Sequence, residues 1–137
     1  MHKEYKIDCS KVEKGFEFPS AGCDLDAEWV ARYLDAVGEE SGEYLETGIV
    51  PPMAAATYAM SSLGNMLKMP PGAIHVSQSF DFLKIIRVGD HIVCHSRVIK
   101  KRPMGEMTLM SLEISITNRQ NEPVLTGNMD VMLTGTA

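Results

Sequence analysis

The sequence predicts an α+β fold in which an antiparallel sheet curls around a helix. Three observations predict it. Two helical patterns come early and four long β patterns follow without interruption, the order of an α+β chain rather than a βαβ one. The stretch Met53–Leu67 carries Ala54, Ala55, Ala56, Ala59, Met60, Leu63, Met66 and Leu67 on most of its faces, which marks a buried helix. The segments Ala73–Leu83, His91–Lys100, Glu106–Asn118 and Val124–Leu133 are rich in β-branched residues and separated by turn signals.

Residues 1–22 are polar with few apolar positions, and Phe16-Glu17-Phe18 is expected to form a short first strand. Asp24 or Asp26 can cap the first helix, because a short carboxylate there accepts from free backbone N–H groups. Ala27, Val30, Ala31, Leu34 and Val37 then share one helical face, and Gly38 is placed to end the helix. Glu39–Val50 is acidic and Gly-containing, and reads as a loop. Pro51-Pro52 suits a helix entrance and no helix interior. The small residues that follow let a sheet approach the second helix closely. Pro70-Pro71-Gly72 ends it. Turns fall at Val88-Gly89-Asp90, Arg102-Pro103-Met104-Gly105 and Arg119–Pro123, with the Asp90 side chain expected to bond backbone within its turn. Leu112, Ile114 and Ile116 alternate with Glu113, Ser115 and Thr117, so one face of that strand is wet. With no repeat, linker or low-complexity segment in view, residues 1–137 are expected to form one domain.

A chain of 137 residues can bury a core without disulfides or a metal. Its net charge of −5 excludes a phosphate-backbone binder, which needs clustered Lys and Arg, so no nucleic-acid partner is expected. The short basic run Lys100-Lys101-Arg102 reads as a solvated strand end, with contact to a ligand phosphate as the alternative. Cys9, Cys23 and Cys94 are odd in number and lack a C-x-x-C pair, the pattern of reduced thiols in a cytoplasmic protein. The start Met-His-Lys-Glu-Tyr-Lys has no apolar signal core. The apolar stretch at 53–67 is broken by Thr57, Ser61, Ser62, Gly64 and Asn65, so no membrane span is expected.

Three phrases carry a family resemblance: Gly72-Ala73-Ile74-His75-Val76-Ser77-Gln78-Ser79-Phe80-Asp81-Phe82-Leu83-Lys84, Ile86-Arg87-Val88-Gly89-Asp90, and Glu122-Pro123-Val124-Leu125-Thr126-Gly127. From about residue 24 onward the chain resembles the MaoC-like branch of the hotdog fold, the (R)-specific enoyl-CoA hydratases and 3-hydroxyacyl-thioester dehydratases. The resemblance implies an antiparallel sheet around a long central helix and edge-to-edge pairing into a dimer. It also implies an acyl-CoA or acyl-ACP substrate and no cofactor. Active members carry a loop like Gly-Asp-x-Asn-Pro-x-His, whose Asp and His activate water for addition to an enoyl thioester. A His-Gly pair opens their central helix, where a backbone N–H polarises the thioester carbonyl. Hydration of an activated double bond needs an acid and base on one water and a donor for the developing enolate oxygen.

This chain departs from that pattern. Gly38 matches the Gly, Glu39 stands for the Asp, Ser41 for the Asn, Gly42 for the Pro and Tyr44 for the His, while Pro51-Pro52 replaces His-Gly. Proline has no N–H, so the carbonyl donor must come from Met53 or later. Such an entrance and a Tyr-for-His loop resemble the non-catalytic half of two-part family members, in which a partner supplies the Asp and His.

Glu39, Tyr44 and His75 are therefore the candidate catalytic residues, each with a plainer reading. Glu39 shares an acidic loop with Glu40, Glu43 and Glu46 and can be simply solvated. Tyr44 can donate a hydrogen bond, but its ordinary pKa near ~10 makes it a poor water activator, and packing explains it equally. His75 can be a hydrogen-bonded strand residue. Ser41, Pro52, Met53 and Gln78 are the positions expected to touch substrate, with a structural role as the other reading of Gln78. His91 and His95 share a strand face while Cys94 points away, so no metal site is expected. Met53, Met60, Met66 and Met69 suit a pliable acyl pocket or a plain core. Three functions remain open: a hydratase or dehydratase, a non-catalytic acyl-binding subunit beside a catalytic hotdog partner, and an acyl-CoA thioesterase.

Overall fold

Asp26 starts the first helix: its carboxylate accepts from the Trp29 N–H at 2.8 Å, satisfying a donor that every helix start leaves free. The helix α1 (Ala27–Ala36) buries Val30 and Leu34. Gly38, at φ +74°, turns the chain out of it. The computed structural model describes residues 6–39 and 43–134, so Glu40, Ser41 and Gly42 lie outside the described residues. Within the segment expected to be a loop, Glu43–Thr47 forms a short helix, α2. Glu43 and Glu46 in its first turn favour the positive end of a helix dipole.

Pro52 opens α3 (Pro52–Met66) as expected. Its burial corrects the sequence reading. Ala54, Ala55, Ala56, Ala59 and Leu63 are buried, whereas Met53, Thr57, Ser61, Gly64 and Asn65 are exposed. The exposed positions recur at helical spacing and are mostly polar, so within this chain the sheet covers one side of the helix only. Beyond α3, β3 (Leu67–Lys68) pairs in parallel with β1 (Ile7–Asp8).

A five-stranded antiparallel sheet packs against the alanine face. Its strands are β2 (Ala21–Asp24), β4 (Ile74–Phe82), β5 (His91–Met104), β6 (Met107–Thr117) and β7 (Pro123–Leu133), in the spatial order β2-β5-β6-β7-β4. The first strand was expected at Phe16–Phe18; there the chain makes one isolated bridge, Glu17 to Arg97, and the ladder begins at Ala21. Pro19 lies between the two and has no N–H for a continuous ladder. Cys94, Val98, Met110, Leu112, Ile114, Met129 and Val131 face inward and are buried. Glu113, Ser115 and Thr117 point outward as the alternation predicted.

Two local arrangements hold the sheet in shape. Gly127 on β7 lies opposite Phe80 on β4. A Cβ at position 127 would stand 2.5 Å from the Ser79 carbonyl oxygen and 2.8 Å from the Phe80 ring, so the close approach of the strands requires glycine. At the other sheet edge, the reading of Lys100-Lys101-Arg102 as fully solvated fails at Lys101. Its ammonium donates to the Ser10 and Val12 carbonyls at 2.9 and 2.8 Å and lies 3.6 Å from Glu13. The charge thereby straps the N-terminal segment to β5.

The cysteines are free thiols, and burial pushes Cys9 and Cys94 up to about 11. In the unfolded chain such thiols ionise from about pH 8.5. Their contribution is therefore fully present below the unfolded value and is lost as pH rises toward 11, at roughly 2–3 kcal/mol per thiol. Denaturant melts between pH 8 and 11 are expected to show this loss, and Cys94→Ala to reduce it by about half, the Cys9 share remaining. At pH 8, native protein is expected to leave Cys9 and Cys94 unmodified by a thiol reagent that reacts with all three after unfolding.

Candidate functional site

The surroundings of α3 are set by backbone pairing. The Val50 N–H donates to the Ile86 carbonyl and the Val88 N–H to the Gly48 carbonyl, both at 2.8 Å, so the approach to the helix is pinned to the turn after β4. That turn has the predicted side-chain bond: Asp90 Oδ2 accepts from the Arg87 N–H at 2.9 Å, with Gly89 at φ +96°. The Gly89 N–H and the Asp90 carbonyl also bond Leu25, which fixes the start of α1 to the same turn.

A cavity of about 230 Å³ opens at the entrance of α3, lined by Ile49, Val50, Pro52, Phe82, Leu83, Lys84, Ile85, Ile86 and Val124. Its lining is apolar except for Lys84, whose ammonium is held by the Glu122 carboxylate. The hydrogen bonds from Lys84 and Asn118 hold that carboxyl below the usual carboxylate range. Pro51 and Pro52 carry no N–H, and the Ala54 N–H turns back to the Pro51 carbonyl at 2.9 Å. Met53 is thus the first residue of α3 with a backbone donor, at the positive end of the helix dipole. Tyr44 sits half-buried against the core in α2, just before this entrance.

A second cavity, of about 240 Å³, lies at the far end of the same helix flank, lined by Met60, Leu63, Gly64, Met69, Ala73, Ile74, His75, Met129 and Val131. Gly64 follows Pro52 by twelve residues, about 18 Å along the axis at the α-helical rise. His75 therefore borders the C-terminal half of α3, away from Pro52 and Met53 at its start. Glu39 is exposed just past α1, its N–H on the Leu34 carbonyl at 2.9 Å. Gln78 lies on the inner face of β4 between the two cavities, its Nε2 donating to the Ser79 and Asn128 carbonyls at 3.1 Å each. Of the candidates chosen from sequence, Pro52 lines the entrance cavity and His75 the far one, Gln78 lies between them, Glu39 lines neither, and Ser41 lies outside the described residues. Sequence reasoning missed the Lys84–Glu122 pair and the seat of Phe80 over Gly127. A glycine inside a strand pattern was the available signal for the latter.

A further hollow of about 430 Å³ lies on the outer face of the sheet beside His95, Arg97 and Glu113. Glu17 also lines it; Arg97 Nε pairs with Glu113 at 3.1 Å, and His95 Nε2 lies 3.2 Å from the Thr117 hydroxyl. His91 pairs instead with Asp24 at 2.8 Å. Among the described residues no group of three metal-ligating side chains comes together.

A sheet curled over one helix, with apolar cavities along the helix flank, is the hotdog architecture. Solved structures share it. The (R)-hydratase from A. caviae involved in PHA biosynthesis superposes with a TM-score of 0.74 at 22% identity, covering 90% of this chain and 98% of its own. The MaoC-like dehydratase from Rhodospirillum rubrum gives 0.74 at 16% identity over 93% and 97%. The ChsH1–ChsH2 complex from Mycobacterium tuberculosis gives 0.71 at 11% over 88% and 98%. Residues 13–127 match the family model described as FAS1-like, dehydratase domain region, and the chain belongs to that family. No curated protein matches it. No helix among the described residues is long and apolar enough to cross a membrane.

Proposed function

We propose that this chain binds an acyl-CoA or acyl-ACP thioester as the non-catalytic half of an (R)-hydratase/dehydratase assembly, and that a related hotdog chain supplies the acid–base pair. One observation carries the reading. The cavity at the α3 entrance, where the family's carbonyl donor belongs, is lined by apolar side chains and by a lysine engaged with Glu122. In this reading Met53 N–H takes the thioester carbonyl, Pro52 shapes the mouth and Tyr44 packs the approach. Glu39 and His75 do no proton transfer. The edge of β4 that is unpaired among the described residues receives the partner, and a structural neighbour, the ChsH1–ChsH2 complex, is itself a complex of two components.

Crotonyl-CoA tests the division of labour. The purified chain is expected to leave its enoyl absorbance unchanged, with Glu39→Gln behaving identically. Hydration by the wild type that Glu39→Gln abolishes would instead make Glu39 the base. Release of free CoA without a hydroxyacyl product would make the chain a thioesterase.

A further inference from the structure

The two cavities flanking α3 share no lining residue, although both lie between this helix and the β4–β7 half of the sheet. His75 faces the far one and Phe82 the entrance one. The inward residues of β4 between them are Gln78, opposite Met129, and Phe80, opposite Gly127. We propose that Gln78 and Phe80 form a partition across the acyl tunnel, so that this chain accepts short acyl groups and excludes long ones. The inference rests on the acyl-thioester reading above and names the substrate class within it.

The geometry of the partition is specific. Phe80 packs against the core from the edge strand, over the one inward β7 position without a side chain. Its ring edge would meet any Cβ there at 2.8 Å. The ring therefore occupies the volume that a larger residue at 127 would fill, and its neighbour Phe82 stands 6.3 Å away between ring centroids on the side of the entrance. Gln78 adds a chemical barrier. Its Nε2 is committed to two backbone carbonyls, while its buried Oε1 has no hydrogen-bond partner among the described residues. A methylene chain passing it would lie against this fixed amide instead of apolar surface and would bring its acceptor no donor. A tail confined to the entrance cavity meets neither obstacle.

Binding measured by calorimetry with butyryl-, octanoyl- and dodecanoyl-CoA tests the partition. Without a barrier each added methylene strengthens binding, since burying one contributes about 0.8 kcal/mol. The wild type is expected to bind butyryl-CoA and to gain nothing from the longer tails. Phe80→Ala is expected to tighten dodecanoyl-CoA about tenfold or more, a gain of about 1.4 kcal/mol, with butyryl-CoA changed by less than about threefold. Phe80→Leu keeps an apolar cover over Gly127 and is measured beside it, with a smaller gain expected. Wild-type affinity that climbs steadily with chain length would overturn the partition alone. A gain for dodecanoyl-CoA in neither variant would overturn it too. Absence of binding at every length would overturn the acyl-thioester reading itself, and the partition with it.

Discussion

Gly127→Ala is expected to be among the most damaging single-methyl additions to this chain. The added Cβ would stand 2.5 Å from the Ser79 carbonyl oxygen, and backbone cannot rotate out of the way as a side-chain tip can. Either β4 separates from β7 or Phe80 leaves its seat. Overpacking of this kind costs about 1–3 kcal/mol, and contact with backbone places this case at the upper end. The melting temperature is expected to fall by roughly 10 °C, measured by circular dichroism. A companion readout is amide exchange, which should accelerate in β4 before the rest of the sheet. An unchanged melting temperature would contradict the close β4–β7 approach.

The second large effect concerns the edge of β4. That strand bonds β7 on one side and, among the described residues, ends the sheet on the other. Ile74, Val76, Phe82, Leu83 and Ile85 along it and the turn after it are each about half exposed. An open, apolar edge is a liability unless something pairs with it. In the proposed assembly a second hotdog chain does so, and without its natural partner the chain is expected to pair with itself. Val76→Lys would put a charge of the same sign on the pairing edge of each copy, and facing like charges are destabilising. Sedimentation velocity is expected to show a dimer for the wild type. For the variant it should show a monomer with unchanged circular dichroism and association weakened about 100-fold, some 2.7 kcal/mol. A variant that remains dimeric would contradict pairing through β4.

The fold was legible because its signals are local and repeated. Alternation along Leu112–Thr117 set the inward and outward faces, Pro51-Pro52 set the α3 entrance, and Asp26 with Gly38 bounded α1. The shortfalls share a different cause: they depend on residues far apart in sequence. Lys101 looked solvated because the Ser10 and Val12 carbonyls that hold it come from the N-terminal segment. The helix looked buried all round because apolar content does not reveal how many sides the sheet covers. The candidate site was only partly legible for the same reason. Pro52 lines the entrance cavity and Met53 and Tyr44 lie close to it along the chain, while His75 is reached through a turn and a strand and lines the cavity toward the other end of α3. Phe80 escaped notice because its role exists only where Gly127 faces it.

The central claim is that the scaffold retains the thioester site without the means to turn the substrate over. Titration of the purified chain with crotonyl-CoA, with heat of binding and enoyl absorbance followed on the same sample, addresses it most directly. The account predicts saturable binding with constant absorbance until a hotdog chain bearing the Asp and His is added. Steady hydration by the chain alone would contradict it, as would the absence of any binding.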